Sequence, residues 1–482
     1  MKNVKRIIFI RTYIFILATA LSLGLWGCSG GGGGNSCDRF AQTGCDSGLS
    51  CELIKDGTTG CFMPVVIQGQ VTNLADGSPV NGARVVGLDA NGSPISTVAT
   101  SDTAGNYEIT VSTTRTSDGT AVSGNVTLRA DAAGFQSFPS GLQQPIPIDT
   151  STPTEEADRF VIKSTLTNIG LIALEAGSGT ASIHGIAQVP ENSLGTLVVA
   201  ESSTAVGFTA IADRDGNYKI FNLPAGSYTV NGYVQGSNYT PGSATLTDGQ
   251  DTEVDLSLNS DPAATLNGSV QIVNAPGGSA TSVILVVEST FNDKIIRGEM
   301  PPGLRAPPPP TAPNVSGSFS ITGIPAGKYV VLAAFENDGL VRDLDTCISG
   351  TDIIHQVFTS GQTVDLSSGF KITEALDVIS PGAGAPESIS TTTPTFTWED
   401  DSSEDTYLLT VYDSFGNKVW ETTIPGSSGN PSVVYNADGT GAGTATALKS
   451  GMYYQFRATS LRKGGACPIS KTEDLKGVFL VQ

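Results

Sequence analysis

In the stretch DRDGNYKIFNLPAGSYTV, residues 213–230, Asp213, Asp215 and Asn217 place oxygen donors at alternate positions, as in a loop that wraps a hard divalent cation such as calcium. The bidentate acid expected at the far end of such a loop is missing, because aromatic and aliphatic residues follow. Asp, Asn and Gly in this order also make a turn for backbone reasons alone. Other candidate chemistry is sparse. His184 and His355 are the only histidines, so a histidine-based hydrolase triad has few ways to form. No GxSxG, HExxH, phosphate-binding loop or nucleotide fingerprint occurs. The 46 acids leave carboxylate pairs open, since glycosidase acids carry no local signature. Trp420, Tyr233 and Tyr239 could stack against sugar rings if they stand exposed beside polar groups, whereas Trp398 is expected in a core.

Whether residues 213–230 form a site or a turn depends on whether the pattern is unique, and it recurs. DTAGNYEI at 102–109, DRDGNYKI at 213–220 and NVSGSFSI at 314–321 share a polar first residue, glycine at the fourth, an aromatic at the sixth and isoleucine at the eighth. In the third copy Asn314, Ser316 and Ser318 replace Asp213, Asp215 and Asn217, so the plan does without carboxylates while keeping the glycine and the aromatic. The pattern predicts a turn feeding a strand whose alternate side chains share a face. Calcium at the second copy is the rival reading, and no other cofactor is expected.

Further pieces repeat in register. IQGQV at 67–71, IHGIA at 183–187 and LNGSV at 266–270 lie upstream of the turns. FNLPAGSYTVNGYV at 221–234 matches TGIPAGKYVVLAAF at 322–335, and NVTLRADAAGFQSF at 125–138 stands in for them in the first copy. The xGxV opening, DGSPVNGARVVGLDANG at 76–92, DxxGNY and LPAGxY resemble carboxypeptidase regulatory-like, or transthyretin-like, β-sandwiches among the carbohydrate-binding-like folds. That resemblance covers roughly residues 65–376 and implies fold more than activity, since such modules serve structural, adhesive or sugar-binding roles. Near the C-terminus, LKSGMYYQFRATS at 448–460 resembles the sixth strand of a fibronectin type III domain, with Tyr454 at its tyrosine corner. The acidic stretch Glu399 to Asp405 reads as a solvated loop.

The expected fold class is therefore all-β: tandem β-sandwiches, Ig-like or prealbumin-like, after a signal peptide and a small disulfide-rich module. The expected boundaries are a leader at 1–27, a tether at 28–36, a cysteine-rich module at 37–64, sandwiches at 65–177, 178–260 and 261–376, and a fibronectin-like module at 377–482. Within the third sandwich, GEMPPGLRAPPPPTAP at 298–313 is expected to protrude as a stiff, solvent-exposed polyproline segment.

At the N-terminus, Lys2, Lys5, Arg6 and Arg11 precede a charge-free run from Tyr13 to Trp26, too short to span a bilayer comfortably and suited to a secretory leader. Leu25-Trp26-Gly27-Cys28 resembles the bacterial lipobox, although Trp26 is larger than the residue usual there. The resemblance implies lipidation of Cys28, and the absence of Asp after it resembles lipoproteins sorted to an outer membrane, facing the periplasm or the cell surface. Ser29, five glycines, Asn35 and Ser36 then make a flexible tether. An exported chain meets an oxidising compartment, so Cys37, Cys45, Cys51 and Cys61 are expected to form two disulfides, with three pairings open. Zinc is the rival there, but no CxxC pair occurs. Cys347 and Cys467 remain, as a third bridge or as two buried thiols.

The formal charge of −20, from 26 bases and 46 acids, opposes binding to nucleic acid. The function expected is non-catalytic: a lipid-anchored β-sandwich stalk or scaffold at the cell envelope. A carbohydrate-binding lipoprotein and an accessory subunit of an envelope enzyme or transporter are the alternatives. Partners would be the membrane through the N-terminal lipid, and polysaccharide or envelope proteins; nothing in the sequence sets the oligomeric state.

Overall fold

Valine, isoleucine and tyrosine alternate with polar residues through each repeat, and alternation with period two places one row of side chains inward and the other in water. The computed structural model describes residues 37–90, 92–121, 124–139, 143–151, 153–273, 281–293, 297–309, 311, 313–335, 353–373, 375–436 and 445–482. Among these, all regular structure is strand apart from two single-turn helices, Thr165–Thr167 and Glu288–Thr290.

Each repeat is a two-sheet sandwich on one plan. In the first sheet the xGxV strand is central: Val65–Asn73, Ala181–Ile186 and Ala264–Val273. It pairs antiparallel with the strand after the DxxGN-type turn, Asn106–Val111, Asn217–Leu223 or Ser318–Ile324. A closing strand, Phe160–Ile162, Asp251–Glu253 or Thr363–Asp365, pairs parallel with it. The facing sheet centres on Arg84–Leu88, Thr196–Ser202 or Thr281–Val287. Ile67, Val71, Val85, Ile109 and Leu128 fill the first core, and Ile183, Val198, Ile220 and Val230 the second.

The register explains why glycine and tyrosine recur together. Gly69 lies opposite Tyr107, and Gly185 opposite Tyr218. A Cβ on Gly185 would stand 2.1 Å from the Val254 carbonyl oxygen, and one on Gly69 1.8 Å from that of Thr167, so glycine alone permits the backbone crossing. The tyrosine hydroxyl completes the unit, donating to the same carbonyl: Tyr107 to Thr167 at 2.6 Å, and Tyr218 to Val254. In the third repeat Gly268 faces Phe319, so the cover persists without the hydroxyl. Tyr218→Phe is therefore expected to cost about 1 kcal/mol, the net worth of one hydrogen bond. Urea denaturation would measure it, and a loss above about 3 kcal/mol would show that the hydroxyl does more than satisfy Val254.

The third repeat corrects the expectation for residues 298–313. Met300, Leu304, Arg305 and Ala306 are buried, and Arg305–Ala306 pairs as a strand with Thr281–Val287. Pro308 and Pro309 are exposed, so only the proline-rich tip behaves as expected. The cause is apolar spacing: Leu304 enters the main core of the third repeat, while Met300 packs with Ile284, Val286, Val330 and Leu332 on the other side of the same sheet.

Sequence after residue 376 forms a further sandwich. One sheet is Val378–Ser380, Thr395–Trp398 and Ser432–Val434; the other is built around Thr406–Asp413 and Tyr453–Arg462. Phe396, Trp398, Tyr407 and Phe456 form its core, and the Tyr454 hydroxyl accepts from the Lys449 backbone N–H at 2.9 Å, the bond a tyrosine corner makes.

Residues 36–482 form one compact unit. The last module packs on the first: Gln144 N–H donates to Gly416 O at 3.0 Å, Gln143 Nε2 to Phe415 O at 3.0 Å, and Val478 joins the first core. Leu197, Val199, Ile211 and Tyr233 of the second repeat merge with the third core. A stalk in which modules touch only their chain neighbours is thus not the arrangement; contacts run between modules distant in sequence.

Candidate functional site at the module junction

The residues proposed for a cation form a turn. Asp213 Oδ1 accepts the backbone N–H of Asp215 at 3.0 Å and of Asn217 at 2.8 Å, and Asn217 Nδ2 also reaches it. The carboxylate is consumed by the turn, and Gly216 takes φ +85°, which a side chain disfavours. Asp102 makes the same bonds to Ala104 and Asn106, and so does Asp413 to Phe415 and Asn417 in the last module. The DSFGN copy at 413–417 was visible in the sequence as the same D-x-x-G-N spacing. In the acidic loop, Asp400 accepts from the Tyr407 hydroxyl and Asp401 from the Ser460 hydroxyl, so both are tied to their own module.

The aromatic platform is also corrected. Trp420, Tyr233 and Tyr239 are at most 5% exposed and present no stacking face. Trp420 packs edge-on to Tyr435 at 5.0 Å inside the last core, and Tyr233 edge-on to Tyr329 at 6.0 Å between two repeats. Tyr239 covers Gly232, and its hydroxyl donates to Gln188 O at 2.7 Å. Each lies on the inward row of its strand, where apolar area outweighs one polar atom.

The cysteine-rich module takes one of the three pairings, Cys37–Cys51 with Cys45–Cys61. These sulfurs account for the one three-residue grouping with metal-ligand spacing among the described residues, Cys37, Cys45 and Cys61. Cys467 is buried and disulfide-bonded; Cys347, the partner expected for it, lies outside the described residues, as does Cys28.

His184 and Ser182 both bond to Asp251 Oδ1, at 3.0 and 2.5 Å, and Lys219 Nζ reaches Oδ2 at 2.8 Å. The carboxylate stands between hydroxyl and imidazole, so no base is positioned on the serine. Burial opposes the charge on Asp251, but Lys219, Ser182 and His184 outweigh it and bring its pKa down to about 2. A folded value below the ordinary one stabilises the fold above about pH 4, and the contribution fades as pH falls toward 2. Because the group is nearly half exposed, Asp251→Asn is expected to cost under about 1 kcal/mol at pH 6, with no difference from the native chain near pH 1, below the folded pKa. Urea midpoints at the two pH values check this, and a gap that persists at the lower pH refutes it.

The polar groups that sequence reading missed lie where modules meet. Arg129, on Asn125–Asp131, is 4% exposed and holds Asp131 at 2.9 Å within its own module, Thr209 Oγ1 at 2.9 Å in the second and Glu299 at 2.7 Å in the third. Burial opposes its charge, but the Asp131 and Glu299 carboxylates more than offset this and hold its pKa above the ordinary value. Arg115 of the first module pairs with Glu52 of the cysteine-rich module, both fully buried, and donates to Met63 O at 2.8 Å. Arg214 of the second repeat donates to Ser112 of the first at 3.0 Å.

Glu52 and Ser112 also line a cavity of about 730 Å³, together with Arg39 and Lys55 from the cysteine-rich module, Asp89 and Pro94 from the first sandwich, Asn192 from the second, and Arg305 from the third. Burial lowers the pKa of Arg305, partly offset by Asp89.

No protein-family model matches the chain, and no curated protein matches it in sequence. Solved structures similar to it include the Bacillus anthracis TIE protein, at 12% identity over 84% of this chain and 66% of that one, TM-score 0.15. This chain thus spans just under two thirds of that protein's length. A streptococcal ancillary pilin shows 13% identity over 64% of this chain and 98% of its own, TM-score 0.15. A DUF3823 family protein from Bacteroides uniformis shows 11% identity over 46% and 100%, TM-score 0.20. Likenesses at these scores carry no argument about what this chain does.

Proposed function

We propose that the chain is a non-catalytic, lipid-anchored scaffold of a bacterial cell envelope, held to an outer membrane through Cys28 and presenting a rigid block of β-sandwiches beyond a glycine tether. The observation that carries the reading is the Arg129 clasp, in which one buried guanidinium ties three modules together. A chain of independently moving binding modules has no need for a buried charge network at their junction, whereas a block that holds its modules in fixed positions does. The net charge of −20 suits a body kept soluble and clear of anionic lipid heads.

The anchor is tested by Cys28→Ser in the native host. The expected outcome is transfer of the protein from the membrane fraction to the soluble fraction, with loss of incorporated radiolabelled palmitate. Retention of the variant in the membrane fraction would overturn the lipid-anchor reading and leave the leader as an uncleaved anchor.

A further inference from the structure

Arg305 is anomalous among the buried charges. Its side chain is 4% exposed and lines the junction cavity, yet Nε and Nη1 are shielded from solvent with no hydrogen-bond partner. By contrast, Arg115 and Arg129 have carboxylates within bonding distance. A buried guanidinium without acceptors loses its hydration and gains nothing back, so such sites persist where an acceptor arrives from elsewhere. Two more cationic side chains, Arg39 and Lys55, line the same cavity against the single carboxylates of Asp89 and Glu52, and Glu52 is already committed to Arg115. The lining thus has a cationic excess in a chain of net charge −20.

The volume, about 730 Å³, is that of a small-molecule site. Hydroxyl and amide side chains, Ser93, Thr150, Asn192 and Gln235 among them, share the rest of the lining with Pro94 and Pro302, which suits a ligand with a hydroxylated body and one or two anionic groups. A guanidinium gives a carboxylate a charge-assisted hydrogen bond that a neutral donor does not match.

We propose that the junction cavity binds a small organic carboxylate of about disaccharide size, such as an acidic sugar, with Arg305 as the buried anchor and Arg39 and Lys55 as the outer cations. The site is built only when the cysteine-rich module and the three repeats are docked, so ligand binding and module packing stabilise each other. This goes beyond the scaffold reading, and its failure would leave that reading intact.

The test is calorimetric titration and thermal melting of the full-length protein with digalacturonate, with neutral cellobiose and inorganic phosphate as comparison probes. Digalacturonate is expected to bind saturably and raise Tm, and cellobiose to do neither. Arg305→Met should raise Tm without ligand, because a buried unpaired charge is replaced by an apolar chain of similar length. The same variant should weaken digalacturonate binding by about 10- to 100-fold, the loss of a charge-assisted pair. Lys55→Gln, at an exposed position, should weaken it about threefold without altering Tm of the free protein. Equal affinity in native and Arg305→Met proteins would overturn the proposal. So would binding of phosphate alone, or a lack of response to every anion even if the variant proves more stable.

Discussion

Arg129→Ala is expected to lower the stability of the assembled block by about 3–5 kcal/mol, the usual loss when one partner of a buried ionic network is removed. The guanidinium is held by Asp131 and Thr209, and by Glu299 across a sequence separation of 170 residues. Removing it leaves Asp131, itself buried, with the Ser137 hydroxyl as its remaining side-chain donor. The outer arm is worth less. Glu299 is 38% exposed, so Glu299→Gln should cost no more than about 1 kcal/mol. Because the residue joins three modules, the shape of the transition also carries information. Urea unfolding should broaden or split, as modules that melt together begin to melt apart. Pairing Arg129→Met with Asp131→Leu should recover much of the loss, since an apolar replacement leaves no stranded charge. A single unchanged transition in Arg129→Ala would show that apolar contacts alone couple the modules.

Glu52→Ala should undock the N-terminal module rather than unfold the protein. Glu52, on Ser50–Ile54, accepts from Arg115 and Thr113, and Arg115 lies over the Phe62 ring at 5.1 Å. Without the carboxylate, Arg115 keeps carbonyl acceptors on Met63 and Gly119 but no counter-charge, a cost of about 3–5 kcal/mol if it stays buried. The chain has a cheaper route. The edge joining the two modules consists of two parallel rungs, Leu53 to Thr114 and Ile54 to Arg115, so lifting the strand away returns Arg115 to water. The two disulfides close loops of 14 and 16 residues and keep the released module folded on itself. Hydrogen exchange should therefore quicken in the Arg115 strand and at the outer edge of Ser50–Ile54, while amides of Val65–Asn73 stay protected. Uniform acceleration through the first sandwich would instead mean that the pair supports the whole core. Undocking would also open the junction cavity, because Arg39 and Lys55 leave with the module.

The sequence alone determined the local features, because their causes lie within a few residues. Strands followed from alternating apolar residues, and the turns at Asp102 and Asp213 from side-chain oxygens that reach N–H groups two and four residues on. Asn314 and Ser316 replace the acids in the third copy without changing the pattern, which a backbone turn permits. The crowding of four cysteines foretold two staples in the first module, but not which pairs, since all four lie within reach of one another along so short a chain. Tertiary structure decided what depends on partners brought from afar. Gly185 and Tyr218 were legible as separate repeats; their joint purpose needs the Val254 carbonyl, 36 residues beyond the tyrosine. Trp420, Tyr233 and Tyr239 could have faced water or core, and the packing of neighbouring strands and repeats sent them inward. Arg129 and Arg305 were indistinguishable on paper. Only the fold gives the first its carboxylates and leaves two nitrogens of the second without acceptors at the wall of a cavity, because an interaction energy belongs to a distance in space and not to a position in the chain.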